Sequence, residues 1–165
     1  MKIRFDFKKE CYCIDLTRAI IFAAIFLALG MFTCFCGGST HIYTVLLLPN
    51  FAVGRGVFVV LWTLFYIAFG FTLEIILSTR CVFRREKLIT LYVFTVLLGY
   101  LWFPLFFGAN AFFLAFALCV IISVMTFITF KKFLRINKLV ATVLGVYFAW
   151  LLYACVLNFC ICILN

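Results

Sequence analysis

The chain is divided into long runs without Lys, Arg, Asp or Glu, and these runs constrain its fold more than any other feature. They cover residues 19–54, 56–73, 88–130 and 139–165. A helix needs about 20 apolar residues to cross the hydrocarbon core of a bilayer. Hydrophobic residues make up 69% of the chain and charged residues 12%, whereas soluble domains carry about 25% charged residues. This composition excludes a soluble enzyme domain, a disordered chain and a disulfide-rich secreted module.

The lengths of the runs predict the number of membrane spans. The first run accommodates one helix, followed by a polar, Gly-rich break at 37–41 and a non-helical approach to Pro49 and Asn50. The third run would be about 65 Å long as a single helix, so it must fold back, and residues 108–110 supply a turn. We predict an all-α, five-transmembrane-helix bundle that forms one domain over residues 1–165, with spans at about 15–35, 56–78, 88–107, 111–130 and 139–164.

The placement of the basic residues predicts the orientation of this bundle. Of the 14 basic residues, all except Arg55 precede the first span or lie between spans two and three or four and five. Cytoplasmic loops are enriched in Lys and Arg, so we predict the N-terminus inside and the C-terminus outside. The first apolar core is longer than that of a signal peptide, and we expect it to be retained. The composition and the lack of an organelle-targeting presequence favour a bacterial plasma membrane.

The net charge of +9 does not indicate a nucleic-acid partner. Electrostatic binding to nucleic acid needs the basic residues on one water-exposed face, and here they sit in short clusters between apolar runs. We therefore predict no nucleic-acid partner.

The nine cysteines and one histidine lack the spacing of a metal site. No pair has the C-x₂-C spacing that is usual for zinc, and His41 is the only histidine. We predict no metal site and no cofactor, and we interpret the cysteines as small buried hydrophobic residues. The alternative is a disulfide on the outer side, where Cys34, Cys36, Cys160 and Cys162 are expected to lie.

Two polar side chains fall inside the predicted spans. Glu74 is an intramembrane acid and thus a candidate functional residue. It lies about one turn from the cytoplasmic end of its span, where we expect it to reach water or to pair with Arg80. Asn158 lies near the outer end of the fifth span, where we expect its amide to form a hydrogen bond to another helix.

Two tryptophans lie too deep in their helices for the aromatic belt at the membrane surface. Trp62 is about seven residues into the second span, and Trp150 is about twelve residues into the fifth. Trp62, Tyr66 and Gly70 share one helix face because they recur every four residues. A mid-depth indole needs a partner for its N–H group, so we expect both tryptophans to face a cavity or a neighbouring helix.

Three ordered sequence blocks resemble the motifs of the TspO/MBR family, the tryptophan-rich sensory proteins that include the translocator protein or peripheral-type benzodiazepine receptor. Residues 61–66 with Gly70 resemble VW-x-x-LY-x-x-x-G, and residues 102–108 resemble W-x-P-x-FFG. Residues 147–150, with the two Leu-Asn pairs at 157–158 and 164–165, resemble the PY-x-x-W…LN…LN ending, and Pro49-Asn50-Phe51 fits the start of the P-x-W-x-PP loop.

The chain also departs from the family pattern at several positions. Val53 and Gly54 replace the Pro-Pro of the loop, and Gly99 stands where the third helix usually carries Asn. Leu118 replaces the Asp of the fourth helix, and Val146 replaces the Pro before Tyr147. Tyr153 is not followed by a basic residue, so the cholesterol-recognition segment of the last helix is incomplete.

The resemblance implies a five-helix bundle around a pocket that the first loop covers, usually in a homodimer. It also implies binding of porphyrins and other tetrapyrroles, and of synthetic ligands of the benzodiazepine-receptor type. Carried over by position, the ligand-binding residues are Trp62, Tyr66, Trp102, Phe106, Tyr147, Trp150 and Ala154.

We therefore predict a membrane receptor or binding protein for tetrapyrroles or other flat hydrophobic ligands, acting in sensing, transport or homeostasis. The main alternative is an enzyme that degrades porphyrin under light through Trp62 and Trp150. A lipid or sterol carrier and a purely structural scaffold are the remaining alternatives.

Overall fold

A computed structural model describes residues 2–7, 10–37, 43–79 and 85–165 of the chain. Within this part it contains five helices that are long and apolar enough to cross a membrane, which confirms the predicted all-α membrane bundle. They are α1 (Leu16–Cys36), α2 (Arg55–Ser78), α3 (Arg85–Phe103), α4 (Phe112–Phe133) and α5 (Lys138–Leu164). Helix α1 packs on α2 and α4 packs on α5, while α3 lies against α1 and α4.

The N-terminal segment contains an antiparallel hairpin that was not predicted from the sequence. Strand β1 (Lys2–Phe7) pairs with β2 (Glu10–Asp15), and Lys2 stands opposite Asp15. Asp15 then becomes the N-cap of α1, because its carboxylate accepts a hydrogen bond from the Thr17 N–H group at 3.1 Å. The cap satisfies one of the free N–H groups at the start of the helix.

The chain reverses between α3 and α4 at the turn that the sequence predicts. Helix α3 continues into a π-helical turn, Pro104–Gly108, in which the Ala109 N–H group donates to the Pro104 carbonyl at 2.9 Å. Asn110 follows with φ 53°, a left-handed conformation that Asn adopts more readily than most residues. The 43-residue apolar run therefore forms two antiparallel helices.

The close contact of α1 and α2 depends on glycine. A Cβ atom on Gly70 would lie 2.3 Å from the backbone nitrogen of Ala23, so only glycine lets the two helices approach at this level. One turn from Gly70 toward the helix N-terminus, the Tyr66 ring covers Gly30 of α1 in the same manner. Small residues at such crossings are typical of membrane helices, where association depends on close packing.

The environment of Glu74 differs from the expectation. Glu74 is 0% exposed and forms an ion pair with Arg18 of α1, with 3.2 Å between Nη2 and Oε2, so the expectation that it reaches water is wrong. Its other oxygen accepts hydrogen bonds from the Ser78 hydroxyl at 2.6 Å and the Asp15 N–H group at 3.3 Å. Arg80, the expected partner, lies outside the described residues. Sequence spacing did not reveal that α1 would supply the cation.

Candidate ligand-binding site between the helices

An aromatic cluster fills the space between α2, α3 and α5, and Phe58 lies at its centre. The Phe58 ring is 6.1 Å from Trp62, 5.7 Å from Trp102 and 6.2 Å from Trp150, measured between ring centroids. It also contacts Phe107 at 6.4 Å. Phe58 stands four residues before Trp62, on the same face of α2, and that spacing is the signal that sequence reasoning missed.

The tryptophans of the cluster pack against different aromatic partners. Trp62 stacks on Trp102 of α3, with ring centroids 6.1 Å apart and an interplanar angle of 15°. Trp150 contacts Phe58 from α5 and packs against Tyr153 at 5.1 Å. Phe58 thus contacts both indoles, whereas Trp62 stacks on Trp102 of α3.

The other candidate residues surround this cluster. Phe106 stacks on Trp102 at 4.9 Å, and the Tyr147 ring meets Trp62 edge-on at 6.3 Å. Ala154 borders the small cavities beside Phe58. Tyr66 is turned toward α1 and stacks on Tyr100 at 4.9 Å, so it extends the cluster on the side of α1.

Among the described residues, three of the buried donors in the cluster have no hydrogen-bond acceptor. The Trp102 indole N–H donates to Asn158 Oδ1 at 3.2 Å, which confirms the predicted hydrogen bond between Asn158 and another helix. In contrast, Trp62 Nε1, Trp150 Nε1 and Tyr147 Oη have no partner in the part of the chain that the structure describes. Buried polar groups are nearly always paired in native proteins, so these three atoms are the candidate hydrogen-bonding groups of the site.

Gly99 explains why the Tyr147 hydroxyl fits against α3. A Cβ atom at position 99 would lie 3.2 Å from Tyr147 Oη, closer than most such contacts. The family usually carries an Asn here, whereas glycine offers the phenol space but no side-chain acceptor. The departure at Gly99 therefore leaves a buried donor beside the aromatic cluster.

Three cavities border the Phe58 ring. Two of them, each of about 10 Å³, lie toward Trp102 and Ala154, and this volume is close to the minimum for one water molecule. A third cavity of about 240 Å³ lies between α1 and α2, against Trp62 and the exposed residue Met31. Phe58 borders all three of these cavities.

The segment before α2 is held over this cluster by hydrogen bonds to α5. The Val53 N–H group donates to Tyr153 Oη at 3.0 Å, and the Tyr153 hydroxyl donates to the Phe51 carbonyl at 3.1 Å. The Asn165 side chain pairs with both backbone groups of Leu47. The described part of the first loop, residues 43–54, therefore lies over the end of the cluster at which α2 begins and α5 ends. His41 lies outside the described residues.

Tyr43 forms a further hydrogen bond, this one within the loop. Its hydroxyl donates to the Val53 carbonyl at 2.9 Å. Burial, together with the nearby Tyr153 phenol, raises the pKa of Tyr43 above its usual value. The protonated Tyr43 phenol therefore contributes its full share to stability below the ordinary tyrosine pKa of about 10. This contribution is lost as the pH rises through the higher pKa of the folded state.

We expect the Tyr153→Phe substitution to speed amide hydrogen exchange across residues 51–53 by about tenfold. The change removes two hydrogen bonds, each of which contributes about 0.5–1.5 kcal/mol, and so lowers the free energy of local opening. Mass spectrometry of the exchanged peptides measures the effect. Tyr92→Phe is the matched control, since its hydroxyl donates to the Phe69 carbonyl away from the loop. Equal exchange in the two variants would show that Tyr153 does not hold the loop.

The described helices, with an aromatic cluster at their centre and unpaired donors within it, define a multi-pass integral membrane protein of the binding or sensing class. The TspO/MBR family model matches residues 19–164, and the chain belongs to the TspO/MBR family, as its motifs predicted. No curated protein matches the chain with significant similarity.

Proposed function

We propose that this protein binds a tetrapyrrole, such as a porphyrin, or another flat hydrophobic ligand within the aromatic cluster. In this proposal the binding serves tetrapyrrole sensing, transport or homeostasis. The main support is the set of buried donors at Trp62, Trp150 and Tyr147, which have no acceptor among the described residues. A porphyrin offers a flat apolar ring for the indoles, and nitrogen and carboxylate acceptors for the donors.

The ligand would occupy the space that the Phe58 ring now fills. The small cavities beside this ring hold about 10 Å³ each, whereas pockets for such ligands measure about 300–1,000 Å³. Rotation of Phe58 would connect them with the larger cavity between α1 and α2. Because exposed apolar side chains of α1 and α2, such as Met31 and Val59, border that cavity, a hydrophobic ligand would reach Phe58 from the bilayer.

The setting proposed for this activity follows the charge distribution. Arg18 and the cluster at 131–138 lie at one end of the bundle, and Arg55 starts α2 at the opposite end. By the positive-inside rule, the N-terminus and the α2–α3 and α4–α5 connections face the cytoplasm, and the loop over the site faces outward. A homodimer in a bacterial plasma membrane completes the proposal.

Titration of protoporphyrin IX into the purified protein in lipid nanodiscs tests the function. We expect quenching of tryptophan fluorescence and a shift of the porphyrin absorption band. Tyr147→Phe should weaken binding by about two- to tenfold, the value of one hydrogen bond, without lowering the thermal stability of the unliganded protein.

Tyr100→Phe is the matched control, since the Tyr100 hydroxyl already donates to the Phe26 carbonyl at 2.7 Å. It should lower the thermal stability and leave the porphyrin affinity unchanged. The proposed function is wrong if the wild-type protein binds no porphyrin. The position of the site is wrong if Trp62→Phe, Trp150→Phe and Tyr147→Phe all bind with wild-type affinity.

A further inference from the structure

Two thiols from different helices meet beside the aromatic cluster. Cys119 of α4 and Cys155 of α5 have their Sγ atoms 3.4 Å apart, and the Cys155 thiol donates to Cys119 Sγ. Ser123 of α4 lies next to them, with 3.3 Å between its Oγ atom and Cys155 Sγ. The Ser123 hydroxyl also donates to the Cys119 carbonyl at 2.8 Å. The binding proposed above uses none of these groups.

The two cysteines differ in their access to the bilayer. Cys119 is 2% exposed. Cys155 is half-buried and lies next to Leu152 and Val156, which are exposed on the surface of α5. An apolar molecule dissolved in the hydrocarbon region therefore reaches the sulfur of Cys155 first. Cys119 lies behind it, within contact distance of the same sulfur.

The geometry suits a covalent bond between the sulfurs. A disulfide has an S–S distance of about 2.0 Å, so the two atoms need to approach by about 1.4 Å. Small rotations of the two side chains supply this movement because the helices already pack against each other. Two cysteines separated by one residue on a helix point to different sides, so Cys34/Cys36 and Cys160/Cys162 do not share this arrangement.

We propose that Cys119 and Cys155 form an oxidation site that an organic hydroperoxide in the bilayer converts to a disulfide. The Cys155 sulfur attacks the terminal oxygen of the hydroperoxide and the O–O bond breaks. The thiol proton passes to the leaving alkoxide oxygen, which gives a sulfenic acid on Cys155 and an alcohol. The Cys119 sulfur then attacks Cys155 Sγ and releases water. In total, two thiols and one hydroperoxide give one disulfide, one alcohol and one water.

The disulfide would connect α4 to α5 at the level of the aromatic cluster. Cys119 borders the same small cavity as Trp62 and Trp102, so the oxidised sulfur pair becomes part of the wall of that cavity. Cys155 acts as the thiol that meets the oxidant, and Cys119 acts as the thiol that resolves the sulfenic acid. The proposal does not depend on the identity of the ligand.

The test treats the full chain in nanodiscs with cumene hydroperoxide and then blocks the free thiols with N-ethylmaleimide. Mass spectrometry should show the loss of two free thiols, a mass decrease of two hydrogen atoms and a peptide that links Cys119 to Cys155. Dithiothreitol should reverse all three changes. In Cys119→Ser, the sulfenic acid on Cys155 should persist and react with dimedone.

The Cys155→Ser variant should lose the linked peptide and keep Cys119 reduced. Cys36→Ser is the matched control, because it removes an exposed thiol of α1 and should leave the disulfide unchanged. The proposal is overturned if the wild-type protein forms no link between Cys119 and Cys155. It is also overturned if Cys119 is oxidised as fast in Cys155→Ser as in the wild-type protein.

Discussion

Replacing Phe58 by Ala is expected to tighten protoporphyrin IX binding by about tenfold or more. In the wild-type protein a ligand must displace the Phe58 ring from Trp62, Trp102 and Trp150, and aromatic pairs contribute about 0.5–1.5 kcal/mol each. The alanine variant has no ring to displace. We expect the space left by the ring to join the cavities that Phe58 now borders. Fluorescence titration in nanodiscs measures the dissociation constant.

The same substitution is expected to destabilise the unliganded protein. A Phe→Ala change in a packed core costs about 3–5 kcal/mol, and Phe58 is 8% exposed. Phe65→Ala is the matched control, since Phe65 lies on the same helix with the same exposure of 8% but lines none of the cavities described above. It should lose similar stability without a gain in affinity. If Phe58→Ala binds porphyrin no better than Phe65→Ala, Phe58 does not occupy the ligand's place.

The Arg18→Met substitution is expected to destabilise the bundle by about 3 kcal/mol, because it leaves the charge of Glu74 buried with no cation paired to it among the described residues. This figure is at the low end for a broken buried ion pair, since the Arg18 side chain is 52% exposed. Unfolding by sodium dodecyl sulfate, followed by circular dichroism, measures the loss.

A second change should restore most of that stability. In Arg18→Met/Glu74→Gln the buried group is neutral, and its amide oxygen still accepts from the Ser78 hydroxyl and the Asp15 N–H group. Arg55→Met removes an exposed cation at the opposite end of the bundle and should unfold as the wild-type protein does. Wild-type stability in Arg18→Met would mean that the ion pair does not hold α1 to α2.

Much of the fold follows from the sequence because the bilayer acts on composition and length. A membrane span must be long, apolar and internally hydrogen-bonded, so the uncharged runs predict the helices and the fold-back at 108–110. The depth of Trp62 and Trp150 in their helices predicts that these indoles avoid the membrane surface. The motif blocks identify the family because they occur in order on these spans.

Only the tertiary structure decided which side chains meet. The contacts that matter most join residues of different helices or of neighbouring turns. They are the stacking of Trp62 on Trp102, the contacts of Phe58, the Arg18–Glu74 ion pair and the Cys119–Cys155 contact. These contacts depend on how far each helix is rotated and shifted against the others. Close packing sets that arrangement, and the contact of Gly70 with the backbone of Ala23 is an example. A uniformly apolar helix carries little information about rotation, because lipid and protein interior are equally favourable for its apolar side chains.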